Sequence, residues 1–117
     1  WKYTKMLPYC PSPLLTNGHI FMVKDGGIVS CLDAKSGTPA KQARVSGRGG
    51  YYSSPVAGDG KIYLLSQRGE LSVISAEPQW RELASAQLGE DAYATPAIVD
   101  GRIYLRTAGH LYCFGLE

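Results

Sequence analysis

The chain has no apolar run approaching the roughly 18 residues that cross a bilayer, and its opening, Trp1-Lys2-Tyr3-Thr4-Lys5, lacks the apolar stretch of a secretory leader. It does not begin with methionine, so it reads as mature, processed or a fragment, and any targeting segment upstream is invisible in it. Blocks of like charge are absent: 12 basic and 10 acidic residues are scattered and leave a net charge of +2, too little to argue for nucleic acid. Cysteine is scarce. Cys10, Cys31 and Cys113 show no Cys-x-x-Cys and no Cys/His spacing that would hold zinc, and the two histidines, His19 and His110, fall at non-equivalent places. There is no G-x-S-x-G, no H-E-x-x-H and no P-loop. Gly47-Arg48-Gly49-Gly50 has the composition of a phosphate cradle, but no helix follows it to supply N-terminal amides.

What is present favours strands. Of 117 residues, 44% are apolar and 19% charged, which excludes a disordered chain and fits one globular unit. Fourteen glycines and seven prolines punctuate the chain with turns, and the aromatic content is mostly tyrosine, a good strand residue.

The chain repeats itself. Ser12-Pro13-Leu14-Leu15-Thr16-Asn17-Gly18-His19-Ile20-Phe21 aligns with Ser54-Pro55-Val56-Ala57-Gly58-Asp59-Gly60-Lys61-Ile62-Tyr63 and with Thr95-Pro96-Ala97-Ile98-Val99-Asp100-Gly101-Arg102-Ile103-Tyr104, at periods of 42 and 41 residues. Each copy reads as a short strand opened by proline, which a first strand position tolerates. A two-residue Asn-Gly or Asp-Gly turn follows, suited to the positive φ of a type I′ hairpin, and then a second strand. The second strands are residues 19–24, 61–66 and 102–107, the third strands 29–33, 71–75 and 111–114, and the fourth strands 40–45 and 80–88. Four strands per period of about 41 residues is the propeller pattern. The expected architecture is all-β, with blade one over residues 12–45, blade two over 53–88, and blade three over 95–114 without a fourth strand before the chain ends at Glu117.

At these residues the chain resembles the PQQ-like propeller repeat family, which includes the propeller lipoprotein of outer-membrane β-barrel assembly. The strongest stretches are Ser12-Pro13-Leu14-Leu15, Val23-Lys24-Asp25-Gly26-Gly27-Ile28, Cys31-Leu32-Asp33-Ala34-Lys35-Ser36-Gly37, Tyr51-Tyr52-Ser53-Ser54-Pro55-Val56 and Ala94-Thr95-Pro96-Ala97-Ile98. The resemblance implies a scaffold outside the cytoplasm, periplasmic or extracellular, and does not carry the cofactor. The quinoprotein docking motif, Ala-x-Asp-x-x-Thr-Gly-x-x-x-Trp, is matched loosely by Cys31, Asp33, Ser36 and Gly37, but Lys41 stands at the tryptophan position. Blade two places Trp80 differently. No adjacent cysteine pair and no Asn/Glu/Asp set for a quinone-bound Ca²⁺ can be assigned, so no cofactor is expected.

Cys31 and Cys113 occupy one position of the third strand, where blade two has Val73, and are expected as buried core thiols; Cys10 lies in a loop. In a propeller the loops from fourth to first strand and from second to third strand emerge on one face. Here that face collects Tyr9, Lys24, Asp25, Arg48, Tyr51, Tyr52, Gln67, Arg68, Asp91, Tyr93 and Arg106. Tyrosine and arginine are the types enriched at binding interfaces, so Arg48, Tyr51, Tyr52, Arg68, Tyr93 and Arg106 are the candidate site, facing a protein or peptide. The alternatives are a fragment of a quinoprotein-like oxidoreductase, a carbohydrate-binding propeller, and, for Tyr52 and Tyr93, plain wedges between blades. Three blades cannot close a ring. Residues 1–6 are strand-like and unpaired, so they are expected to supply the outer strand of a neighbouring blade, closing six blades in a homodimer by strand exchange. Otherwise the chain is cut from one longer propeller.

Overall fold

The computed structural model describes residues 1–115. Among the described residues, eleven strands form three antiparallel sheets and there is no helix. Blade one contains β1 (Leu14–Thr16), β2 (His19–Lys24), β3 (Ile28–Asp33) and β4 (Pro39–Arg44). Blade two contains β5 (Val56–Gly58), β6 (Lys61–Leu65), β7 (Glu70–Ser75) and β8 (Glu82–Gln87). Blade three contains β9 (Ala97–Val99), β10 (Arg102–Arg106) and β11 (Leu111–Gly115), so β11 is a sheet edge where β3 and β7 are each flanked on both sides. Glu117 lies outside the described residues.

The hairpins follow from local chemistry. Asn17, Asp59 and Asp100 take φ of 50°, 53° and 49°, each followed by glycine at 70° to 74°, which is the left-handed pair a type I′ turn requires. The strands they join pair in one register: Leu15↔Ile20, Ala57↔Ile62 and Ile98↔Ile103.

Alternation along the second strands builds two cores. Phe21, Val23, Val29 and Cys31 of blade one pack with Ile62, Leu64 and Ile74 of blade two, closed by Val45, Tyr51 and Trp80. Tyr63 and Leu65, on blade two's other face, pack with Ile103 and Leu105 of blade three and with Ala92. Ile62 and Ile103 are therefore core, at 0% and 3% exposure.

Two expectations are corrected. Cys113 is exposed while Cys31 is buried, because the surface Cys31 faces is covered by blade two whereas Cys113 faces the uncovered flank of blade three. Trp80 does not begin the fourth strand of blade two: it sits in the turn before β8, since the hydrogen bond from Ser75 N to Arg81 O closes that turn as Asp33 N to Thr38 O closes its counterpart. Residues 1–6 form no strand. Among the described residues no helix is long and apolar enough to cross a membrane.

Candidate functional site

Backbone hydrogen bonds lace the loops of one face together. Gly26 N donates to Gly49 O, Gln67 N to Gly50 O, Ala92 N to Gln67 O and Ala108 N to Asp91 O, at 2.7 to 3.0 Å. The β2–β3 and β6–β7 turns are thereby tied to the linkers that leave their blades, and the β6–β7 and β10–β11 turns to the linkers that enter theirs. Side chains reinforce this. Asp25 Oδ1 accepts the Tyr51 N–H at 2.8 Å, Glu70 accepts the Gly49 N–H at 3.2 Å, and Glu82 accepts the Ser46 N–H at 3.1 Å and its hydroxyl at 2.9 Å. In the Gly47-Arg48-Gly49-Gly50 loop, two of the amides that would greet an anion are thus taken, that of Gly49 by Glu70 and that of Gly47 by Ser72 Oγ 3.3 Å away.

On this laced platform the two tyrosines project. Tyr52 and Tyr93 are 40% and 54% exposed, with ring centroids 5.3 Å apart at 52°, a tilted aromatic pair. Gln67 Nε2 donates to the Tyr93 hydroxyl at 3.1 Å, fixing the ring. Arg68 is exposed, its Cγ and Cδ lying over Gly49, where an added side chain would crowd them. Arg48 is exposed and spends its Nε on Val45 O at 3.0 Å. Arg106 is exposed and, with Asp91, Tyr93, Ala94, Thr107 and Ala108, lines a cleft of about 230 Å³. Among the described residues no carboxylate forms an ion pair with Arg48, Arg68 or Arg106.

Tyr51 is the correction within the site. It is fully buried between blades one and two, its hydroxyl donates to Gly47 O, and burial, with Glu70 and Glu82 nearby, pushes its phenol well above the ordinary range. It is a wedge in the core and cannot touch a partner. Its neighbour Tyr52 takes the outward position, because successive residues of this extended linker point to opposite sides.

Sequence reasoning missed three linking devices. Glu90, in the linker between blades two and three, accepts from Thr107 Oγ1 and His110 Nδ1, both at 2.6 Å, and pins the β10–β11 turn. The hydroxyl residue preceding each opening proline bridges blades: Ser12 N donates to Ser54 Oγ and Ser54 N to Thr95 Oγ1, both at 2.9 Å. The repeated Ser/Thr-Pro at 12, 54 and 95 was the available signal. Finally, the Trp1 indole lies against Gly37 and donates to Ala34 O at 3.0 Å, 33 residues away.

Antiparallel sheets of three and four strands repeated side by side, joined by linkers on a common face, make this a β-propeller segment. More particularly, its fold is the PQQ-like propeller repeat. The structure is similar to BamB from Moraxella catarrhalis (TM-score 0.72, 18% identity, covering 89% of this chain and 32% of that one). It is similar also to the quinohemoprotein alcohol dehydrogenase ADHIIG from Pseudomonas putida HK5 (0.80, 15%, 100% and 20%). A europium-containing methanol dehydrogenase matches likewise (0.76, 14%, 99% and 24%). This chain spans about a third or less of the length of each. No family model matches the sequence, and no curated protein does. Among the described residues no three His, Cys, Asp or Glu side chains gather to hold a metal ion.

Proposed function

We propose that this chain is a non-catalytic propeller module that binds a protein or peptide on its linker face. The observation that carries the reading is the exposed Tyr52–Tyr93 pair, with Gln67 bonded to the Tyr93 hydroxyl and Arg106 sharing a cleft with Tyr93, on a face where, among the described residues, no carboxylate forms an ion pair with Arg48, Arg68 or Arg106. Aromatic and guanidinium groups on a preorganised surface lose little entropy on binding and carry most of the energy at interfaces. The family resemblance to an assembly scaffold points the same way, and would place the protein in the periplasm or outside the cell.

The test is the double substitution Tyr52→Ala/Arg68→Ala. A partner identified by pull-down with the unaltered chain should bind the double variant at least about tenfold more weakly, a loss of roughly 1.4 kcal/mol. Both side chains are exposed, so the melting temperature should move little. Unchanged affinity for that partner would reject this face. A glycan array showing a specific sugar, lost in the same variant, would favour the carbohydrate-binding reading instead. A quinone- and Ca²⁺-dependent change in absorbance would favour the oxidoreductase fragment.

A further inference from the structure

Arg44 ends the strand β4 and so falls outside the loops that topology sends to the linker face, yet the structure carries it there. Its Nη1 donates to Gly26 O at 2.9 Å, which lays the guanidinium against the β2–β3 turn. A side chain at Gly26 would meet that nitrogen at 2.9 Å. Gly26 N in turn donates to Gly49 O at 3.0 Å. Over Gly49 lie Cγ and Cδ of Arg68, each 3.1 Å from where a Cβ would stand, and Arg48 directly precedes Gly49 in the chain. Arginines from β4, from the linker between blades one and two and from the β6–β7 turn therefore converge on one contact between two glycines. Arg44, Arg48 and Arg68 are all exposed, and among the described residues none of them forms an ion pair.

The carboxylates of this region serve the loops instead. Asp25 Oδ1 accepts the Tyr51 N–H at 2.8 Å, and Glu70 Oε1 accepts the Gly49 N–H at 3.2 Å and the Ser66 hydroxyl at 2.9 Å. Negative charge is thereby tied to loop amides, while guanidinium charge is left facing solvent. Each guanidinium is also pre-positioned: Arg44 by Gly26 O, Arg48 by its Nε bond to Val45 O at 3.0 Å, and Arg68 by the contact of its stem with Gly49. An arginine held in this way loses less entropy on binding, and its remaining N–H groups match the paired oxygens of a carboxylate. The tyrosine pair adjoins the arc, because Gln67, which bonds the Tyr93 hydroxyl at 3.1 Å, is the chain neighbour of Arg68. On the blade three side Arg106 shares its cleft with Asp91, so the unbalanced positive charge lies toward blades one and two.

We infer that this arc of Arg44, Arg48 and Arg68 takes the carboxylates of an acidic, extended segment of a partner protein, one apolar residue of which lies on the Tyr52–Tyr93 pair. This rests on the reading that the linker face binds a protein, and it specifies the chemistry of what is bound. Nucleic acid is the poorer fit. A phosphate track calls for continuous positive charge, and here Asp25, Glu70 and Asp91 interrupt it in a chain whose net charge is only +2. A short acidic segment needs the local arc alone, and aromatic rings beside guanidinium groups are the composition of a strong protein contact.

The test uses the full chain and fluorescence anisotropy with a pair of labelled probes, a synthetic segment of aspartate and glutamate around one phenylalanine and its counterpart built with asparagine and glutamine. The acidic segment should bind at least about tenfold more tightly than the amide one, and that preference should shrink as sodium chloride rises from about 0.05 to about 0.5 M. Arg44→Gln/Arg48→Gln should abolish the preference with the melting temperature nearly unmoved, since both residues are exposed. Arg68→Gln, whose side chain makes no hydrogen bond among the described residues, should lower the preference about threefold and serves if the double variant unfolds. Equal binding of the acidic and amide segments, or a preference that survives these substitutions, overturns the inference. Tighter binding of a single-stranded DNA oligonucleotide than of the acidic segment overturns it too, in favour of phosphate. A pulled-down partner that is lost in Tyr52→Ala/Arg68→Ala, with no acidic preference among the probes, leaves the linker face standing and removes the acidic specificity. A partner that binds both double variants as well as the unaltered chain overturns both readings.

Discussion

Glu90 shows how much one side chain decides in a fold made of loosely joined sheets. Hydrogen bonds from Thr107 and then from His110 hold its carboxyl below the ordinary value. Between the folded and unfolded values the native state binds fewer protons at this site. The stabilisation is therefore complete above the unfolded carboxyl pKa, roughly 4.3, and is lost as pH falls through the lower folded value. Glu90→Gln should melt below the unaltered chain at pH 7, and the gap should close as melting curves are taken from pH 5 down to pH 3. A gap that stays constant across that window would mean the carboxylate charge is not what pins the β10–β11 turn. Tyr51 and Tyr52 make the other lesson at this scale. They are adjacent and chemically identical, yet one is a core wedge and the other the centre of the candidate site.

Among the elements, the turns between third and fourth strands differ most between blades. Blade one closes its turn on Asp33, whose Oδ1 accepts the Lys35 and Ser36 N–H groups at 2.9 Å and is thereby held below its usual pKa. Blade two has Ser75 at that place and a turn one residue longer, and fills the space with Trp80, 2% exposed and packed into the first core. The Trp80 indole N–H is buried with no acceptor among the described residues. An unpaired buried donor costs about 1 to 3 kcal/mol, so the ring is kept for its volume and for the Lys41 contact. Trp80→Phe, which discards the orphan N–H, should cost less than about 1.5 kcal/mol. Trp80→Ala, which opens a cavity, should cost about 3 to 5 kcal/mol. Denaturant titration of both variants checks this, and equal losses would contradict it.

For the molecule as a whole, stability should follow the number of covered faces, as in other repeat architectures where neighbours interact pairwise. Blade two is packed on both sides, while among the described residues blade three is packed on one side and β11 pairs with β10 alone. In the monomeric chain, amides of β10 and β11 should exchange with deuterium at least about tenfold faster than those of β6 and β7, a difference of roughly 1.4 kcal/mol in local opening. Equal rates would show that the three blades open as one cooperative unit.

The architecture was legible in the sequence because its determinants are short-range. Asn17-Gly18, Asp59-Gly60 and Asp100-Gly101 set the hairpins by backbone preference, Ser/Thr-Pro marks each first strand, and alternation along residues 19–24, 61–65 and 102–106 chooses the core side. The linker face was legible as well, since a propeller's topology sends those loops one way. Tertiary structure alone decided which of two adjacent tyrosines is buried, why equivalent cysteines at 31 and 113 differ in exposure, and where Trp1 docks. In each case the cause is the presence or absence of a neighbouring blade across many residues of chain, and period and turn chemistry hold no record of what lies on the far side of a sheet.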